Sequence, residues 1–270
     1  MPYACRSLIT TEGDFASHDK RLSICLKADG FSFSETTTAG QLITFGEAEG
    51  THAAAITDAT REVKSFFAEV GVRPLGYASA ELIMLTDEHT WVPDELYSPQ
   101  ANRQYLKLVG GKSLSVMSCG CKAITSTSVY AGNEQLAMAF KVALPGLTVT
   151  NQHVKLVKLA ATSNNPLMVT HWREGRVDVA AFSDGRYQFG NTLFFDNEEE
   201  ALFRIVEVMK TYGIESANTE MMMCGDVDRE RFGRFRPYFP KTTLYGGEVK
   251  TGANEEFKRL RTYRHALILM

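Results

Sequence analysis

The sequence predicts an α/β protein made of two similar mixed-sheet halves, and three features carry that expectation. The turn glycines of the opening strands recur, since Gly30 and Gly40 are matched at one shared offset by Gly175 and Gly185. Each pair separates apolar runs that alternate with period two, and each is followed by a switch to helical period. Both helical stretches stop at a glycine, Gly71 or Gly213, before a further apolar strand.

Taken in order, LSICLKADGFSFS (residues 22–34) reads as two strands around an Asp29-Gly30 turn, and QLITF supplies a third. Ile56, Ala59, Val63, Phe66 and Val70 then recur at three- and four-residue steps, one face of a helix. AELIML is the next strand. The second copy opens on MVTHWREGRVDVAAFSDGRYQFGNTLFF and continues into a helix through Leu202, Ile205, Met209 and Tyr212. Asp196 or Asn197 caps that helix, and Glu198 to Glu200 place negative charge at the positive end of its dipole. EMMMC closes the copy. Three antiparallel strands feeding a helix and a returning strand make a mixed sheet.

Between the copies, DELYSPQANRQYLKLV is helical in part, LSVMS and STSVY are strands, and NEQLAMAFKVAL is an amphipathic helix ended by Pro145-Gly146. GLTVT adds a strand and NQHVKLVKLAA a helix. Asn164-Asn165-Pro166 then divides the chain into an N-terminal half, residues 1–163, and a C-terminal half, residues 164–270.

This duplicated meander resembles the actin-like ATPase fold, in which two ribonuclease H-like halves face each other across a cleft. More narrowly, DGFSFS, DELYSPQANRQYLKL, QFGNTLFFDNEEEALFRIVEVMKTYG and MMMCGD look like an uncharacterised Bacteroidetes family given that fold. The resemblance implies that the first hairpin of each half faces ATP phosphates, with turn amides as donors and an acidic strand residue organising magnesium.

The residues depart from that pattern. Strand 22–28 has no carboxylate: Cys25 stands roughly where the acid is expected, and Lys27 carries the charge. Asp29 is in the turn, as a ligand or simply as half of an Asp-Gly hairpin turn. In the second hairpin Trp172, Arg173 and Glu174 replace a small glycine-rich turn, and Arg173 with Arg176 suits a different anion or plain exposed charge. Gly225 followed by Asp226 is what remains of a Gly-Gly turn beneath adenosine. The cleft candidates are therefore Asp29, Gly30, Arg173, Gly225 and Asp226, with no catalytic residue and no metal site expected. No cofactor is expected either; ATP and magnesium belong to the alternative of an atypical ATPase.

Other motifs read as scaffold. VGGKSL lacks the leading glycine of a phosphate loop, that place being Leu106. Cys119 and Cys121 find no further ligands for zinc. His171 has Val169 and Arg173 as same-face strand neighbours, with no carboxylate assigned beside it. Asp228 is a helix cap. DRERFGRFRPYF and EEFKRLRTYRHALILM interleave arginine with aromatics, a pattern for nucleic acid or for a helix with a core-facing stripe; the stripe is preferred.

Composition bounds the function classes. With 44% hydrophobic residues among 270 the chain can bury a substantial core, which excludes disorder. A formal charge of -3 supplies no general field for nucleic acid or an anionic membrane. No leader pattern opens the sequence, and no run approaches the roughly 20 apolar residues that cross a bilayer. Five scattered cysteines read as reduced thiols, and the expected setting is cytoplasmic. The expectation is a non-catalytic protein that binds another macromolecule, a protein partner first; a nucleic-acid role through Arg259, Arg261 and Arg264 is the third alternative.

Overall fold

The computed structural model describes residues 4–11, 15–27, 29–50, 59–74, 76–252 and 254–270. Ala28 of the first hairpin and Ile56 of the first helical stripe lie outside them. The elements follow in chain order: β1 (Ala4–Thr10), β2 (Lys20–Lys27), β3 (Gly30–Thr37), β4 (Leu42–Glu49), α1 (Ala59–Val70) and β5 (Ser79–Met84). Next come β6 (His89–Pro93), α2 (Asn102–Leu108), β7 (Val116–Cys121), β8 (Ser126–Ala131), α3 (Glu134–Ala143), β9 (Thr148–Asn151) and α4 (Gln152–Ala160). The second half contains β10 (Leu167–Arg173), β11 (Arg176–Ser183), β12 (Arg186–Phe194), α5 (Glu198–Thr211), β13 (Glu220–Gly225), α6 (Arg229–Phe235), β14 (Thr242–Leu244), α7 (Glu255–Arg259) and α8 (Ala266–Leu269).

The duplication is topological. One sheet runs β1-β4-β3-β2-β5-β9 and the other β12-β11-β10-β13-β14. Leaving aside the edge strand β1, each is an antiparallel meander whose first strand lies parallel to the two strands that follow the helix. Between β5 and β9 the first half carries an insertion with its own sheet, β6-β8-β7, and α2 packed on it through Val92, Leu106 and Val129. The expected strands of the insertion are β7 and β8; β6 was not expected.

Hairpin register shifts the glycine correspondence by one residue. Lys27 pairs with Gly30 and Arg173 with Arg176, so two-residue turns separate both pairs of strands. By position Gly30 therefore matches Arg176, whereas Gly175 is in the turn at φ 64. Gly30 opens β3 at φ 147, where a Cβ would lie 2.1 Å from the Ala48 carbonyl oxygen. Close strand approach requires this glycine, not the turn itself.

Helices fall where caps and apolar spacing put them. Asn133, Asn151, Asn197 and Asp228 each accept a backbone N–H of the first turn, opening α3, α4, α5 and α6. α1 and α3 cover one face of the first sheet, where Phe66 meets Phe31 edge-on at 4.2 Å between centroids. Trp172, Ile205, Met221, Phe235 and Phe239 form the matching core of the second half. A third core lies between the halves. There α4 leaves the first half to pack on β10 and β11, joined by Phe45, Ile83, Phe257 and Leu267. Being enclosed nearly all round, α4 buries Gln152, His153 and Lys155 along with its apolar residues. Residues 163 and 164 fall in the turn between α4 and β10.

Candidate functional site

The two-residue turn of the second hairpin decides which side chains meet. It sets His171 opposite Asp178 and Arg173 opposite Arg176. Alternation then sends Trp172, Val177 and Val179 into the second half's own core. His171, Arg173 and Asp178 take the other face, toward α4 and the cleft between the halves.

Asp178 is wholly buried, at 0% exposure. Thr192 donates its hydroxyl to Oδ1 at 2.6 Å, and Arg173 adds a fork, Nη2 to Oδ1 at 2.7 Å and Nε to Oδ2 at 3.0 Å. His171 Nδ1 lies 3.2 Å from Oδ2. Burial by itself would raise the Asp178 carboxyl; the His171 hydrogen bond and the surrounding positive charge, Arg173 included, outweigh it and hold it well below the usual carboxylate range.

Arg173 does not stop at its own half. Its Nη1 reaches Asp87 Oδ1 at 2.7 Å, in the segment that follows β5 of the first half. Arg176 pairs with the other oxygen of Asp87. Burial raises the Asp87 carboxyl, and the two arginines more than offset it, so it too sits below its ordinary value. Neighbouring residues fix the segment on either side. Gln152 accepts the Thr86 N–H at 3.1 Å and donates to the Thr86 carbonyl at 2.5 Å. Glu88 Oε2 accepts the N–H groups of Lys112 and Ser113 at 3.0 and 2.9 Å. The amides of the VGGKSL loop thus hold an internal carboxylate. A cavity of about 1100 Å³ opens beside this segment, lined by Asp87, Glu88, Lys112, Ser113 and Asn133.

The five residues singled out in the sequence are brought to the ends of the two central strand groups. Gly225 pairs with Trp172, and the Asp226 N–H donates to the Trp172 carbonyl at 2.8 Å, next to Arg173. Gly225 sits at φ 83, and a Cβ there would lie 2.4 Å from that carbonyl oxygen, so close packing of β13 on β10 demands glycine. Asp29 and Gly30 occupy the corresponding edge of the first half, around a cavity of about 100 Å³ that Lys27 and Glu47 also line. Lys27 pairs with Glu47 at 3.1 Å, and His265 Nδ1 approaches Glu47 at 3.5 Å without hydrogen-bond geometry. Arg264, one residue earlier, lies 3.5 Å from Asp226. The segment before α8 therefore spans the cleft between the two groups.

Sequence reasoning missed Asp87, Gln152 and Asp178, the carboxylate partner of His171. The His171–Asp178 pair was within reach, because a two-residue turn at Glu174-Gly175 fixes cross-strand partners by counting outward. Asp87 had no local signal. Asp228 caps α6, and of the aromatics in DRERFGRFRPYF Phe235 and Phe239 are core at 0% exposure, Phe232 is partly buried against them and Tyr238 is exposed. Two of its arginines meet carboxylates, Arg231 with Glu198 and Arg234 with Glu199 and Glu230. Among the described residues no group of three or more His, Cys, Asp or Glu is placed to hold a metal ion. Burial pushes the Cys25 thiol up to about 11, away from thiolate chemistry.

Two halves that share a five-strand order apart from the edge strand β1, facing across a hairpin-lined cleft, define a protein of the actin-like fold. The chain belongs to the family described as a protein of unknown function, DUF3822, whose model matches residues 12–241. Solved structures agree on the fold. A Bacteroides thetaiotaomicron VPI-5482 protein with actin-like ATPase fold and unknown function shares 15% identity at a TM-score of 0.67, over 90% of this chain and 95% of that one. The ethanolamine utilization protein EutJ from Carboxydothermus hydrogenoformans shares 12% at 0.51, over 97% and 93%. A chain of a PilM-PilN type IV pilus biogenesis complex shares 10% at 0.51, over 93% and 97%. No curated protein matches the sequence. Among the described residues no helix is long and apolar enough to cross a membrane.

Proposed function

We propose that this protein is a non-catalytic member of the actin-like fold that works by binding another macromolecule, with its halves held together by its own side chains. The observation that carries the reading is Arg173. Rooted in the second hairpin, it is committed to Asp178 beside it and to Asp87 across the cleft. A magnesium–triphosphate group fits this arrangement poorly. Cys25 and His171 occupy equivalent places on β2 and β10, and neither is a carboxylate. The nearby carboxylates Asp87 and Asp178 already face guanidinium groups, and the amides of Lys112 and Ser113 already face Glu88.

A protein is the favoured partner. The PilM-PilN complex shows a neighbour of this fold in a protein assembly. The insertion and α3 here leave Leu108 (84%), Val142 (78%) and Leu114 (77%) exposed, side chains that suit contact with protein better than with nucleic acid. Five free cysteines favour a reducing compartment, the cytoplasm.

Thermal unfolding with and without magnesium-ATP tests the reading. A ligand at 100 times its dissociation constant stabilises the native state by about 2.7 kcal/mol. The expected result is no shift and no phosphate release. A clear shift with turnover lost in Asp87→Asn would establish the nucleotide-dependent alternative.

A further inference from the structure

We propose that the stacked rings of His89 and His153 form an acid-sensitive seal between the inserted sheet and the second half, closed while both rings are neutral and opened when either is charged.

His89 on β6 and His153 on α4 lie face to face, with centroids 4.0 Å apart and planes 17° from parallel. Both are buried. His153 Nε2 lies 3.2 Å from Thr192 Oγ1, and the single hydroxyl proton of Thr192 is already given to Asp178 at 2.6 Å. His153 Nε2 also lies 3.3 Å from the Gln152 amide nitrogen, so it stands between a hydroxyl that can accept from it and an amide that can donate to it. Among the described residues His153 Nδ1 has no partner, so a ring carrying both protons always presents one unpaired N–H. Neither nitrogen of His89 has one. A second proton on either ring would be a buried charged donor with nothing to receive it.

Asp178 and Asp87 favour a charged ring, but both are already engaged by arginine, and burial outweighs their pull. Facing the pair are Asp178 on β11, His171 and Arg173 on β10, and Asp87 after β5, with Arg176 beyond and Lys27 reaching toward His171. The thiols of Cys25 and Cys224 lie in the same layer and are kept neutral by burial. Asp87 and Asp178 are matched by Arg173 and Arg176. Asp178 is 3.8 Å from His153 Nε2, and its oxygens already accept from Thr192, Arg173 and His171. An added proton meets only carboxylates that are already engaged. Burial accordingly presses His153 down to about 4 and His89 well below its ordinary 6.5.

The way out is mechanical. Trp91, two residues along β6, meets His89 edge-on at 4.9 Å and donates its indole N–H to the Gly190 carbonyl on β12 at 3.1 Å. That hydrogen bond joins the insertion to the second half. Hydrating a charged His89 or His153 separates the two surfaces at this point and exposes the indole.

Exchange of the Trp91 indole N–H, followed by NMR between pH 7.5 and 4.5, reads the seal. One ring that is neutral when closed and ordinary when open makes opening rise about tenfold per pH unit below about pH 6. In the variant carrying both His89→Phe and His153→Gln, the phenyl keeps the stacked volume and the amide keeps a hydrogen-bonding group opposite Thr192; the rise should vanish. A rise of the same size in that variant overturns the proposal. So does a wild-type indole that stays protected to pH 4.5, or one that exchanges only when the amides of β10 and β13 exchange with it. Should the variant fail to fold, the wild-type imidazole signals decide. They must take up their proton at the same midpoint as indole opening, and rings that charge while the indole stays protected refute the seal.

Discussion

Arg173 Nη1 of the second half lies 2.7 Å from Asp87 Oδ1 of the first, so one guanidinium is gripped from both sides of the cleft. Its other edge holds Asp178, which has no exposure to solvent. The pair is more than surface decoration, because breaking it strands a buried charge.

Arg173→Met should therefore destabilise the protein by about 3–5 kcal/mol in urea unfolding, the usual result of leaving a buried carboxylate unpaired. Arg173→Lys should recover only part of that loss. A lysine carries the charge but cannot make the two-pronged contact that the guanidinium makes with Asp178.

Stability should fall in mild acid. Burial pushes both His153 and His265 from the ordinary 6.5 down to about 4. With the folded value below the unfolded one, the unfolded chain binds the proton first as pH drops. The stabilisation is complete above about pH 6.5, is lost between there and about pH 4, and changes no further below that; each ring contributes on the order of 3 kcal/mol. Urea midpoints measured across that window check the slope, and His265→Phe should shallow it.

Two glycines with positive φ should respond differently to alanine. Gly185 is at φ 68 with nothing within 4 Å of where a methyl would stand, so Gly185→Ala should cost about 1–2 kcal/mol of backbone strain alone. Gly225→Ala adds a clash with the Trp172 backbone and should cost about 3 kcal/mol or more. Equal losses from the two substitutions, measured by denaturant unfolding, would contradict the packing of β13 on β10.

How legible this was in the sequence depended on distance along the chain. The α/β class, the repeat and the helix ends rest on local signals: alternation, turn glycines, and caps such as Asn197 and Asp228. Matching Gly30 to Gly175 was one residue out, because turn chemistry and close strand approach both select glycine and spacing does not distinguish them. β6 was hidden by its mixed composition, since His89 and Trp91 face the interior while Pro93 ends the strand. The contact between Arg173 and Asp87 was the least visible. Asp87 meets Arg173 and Arg176 only after two sheets have formed and packed, a relationship that no periodicity encodes.

A double-mutant cycle between Arg173 and Asp87 tests the central claim most directly, with Arg173→Met, Asp87→Asn and their combination unfolded in urea at neutral pH. The cycle cancels the stranding of Asp178, which is common to both Arg173 variants. An interaction energy of about 1 kcal/mol or more is expected for a cross-cleft ion pair in contact. Effects that simply add, within about 0.3 kcal/mol, would mean that the halves are not held together by this contact.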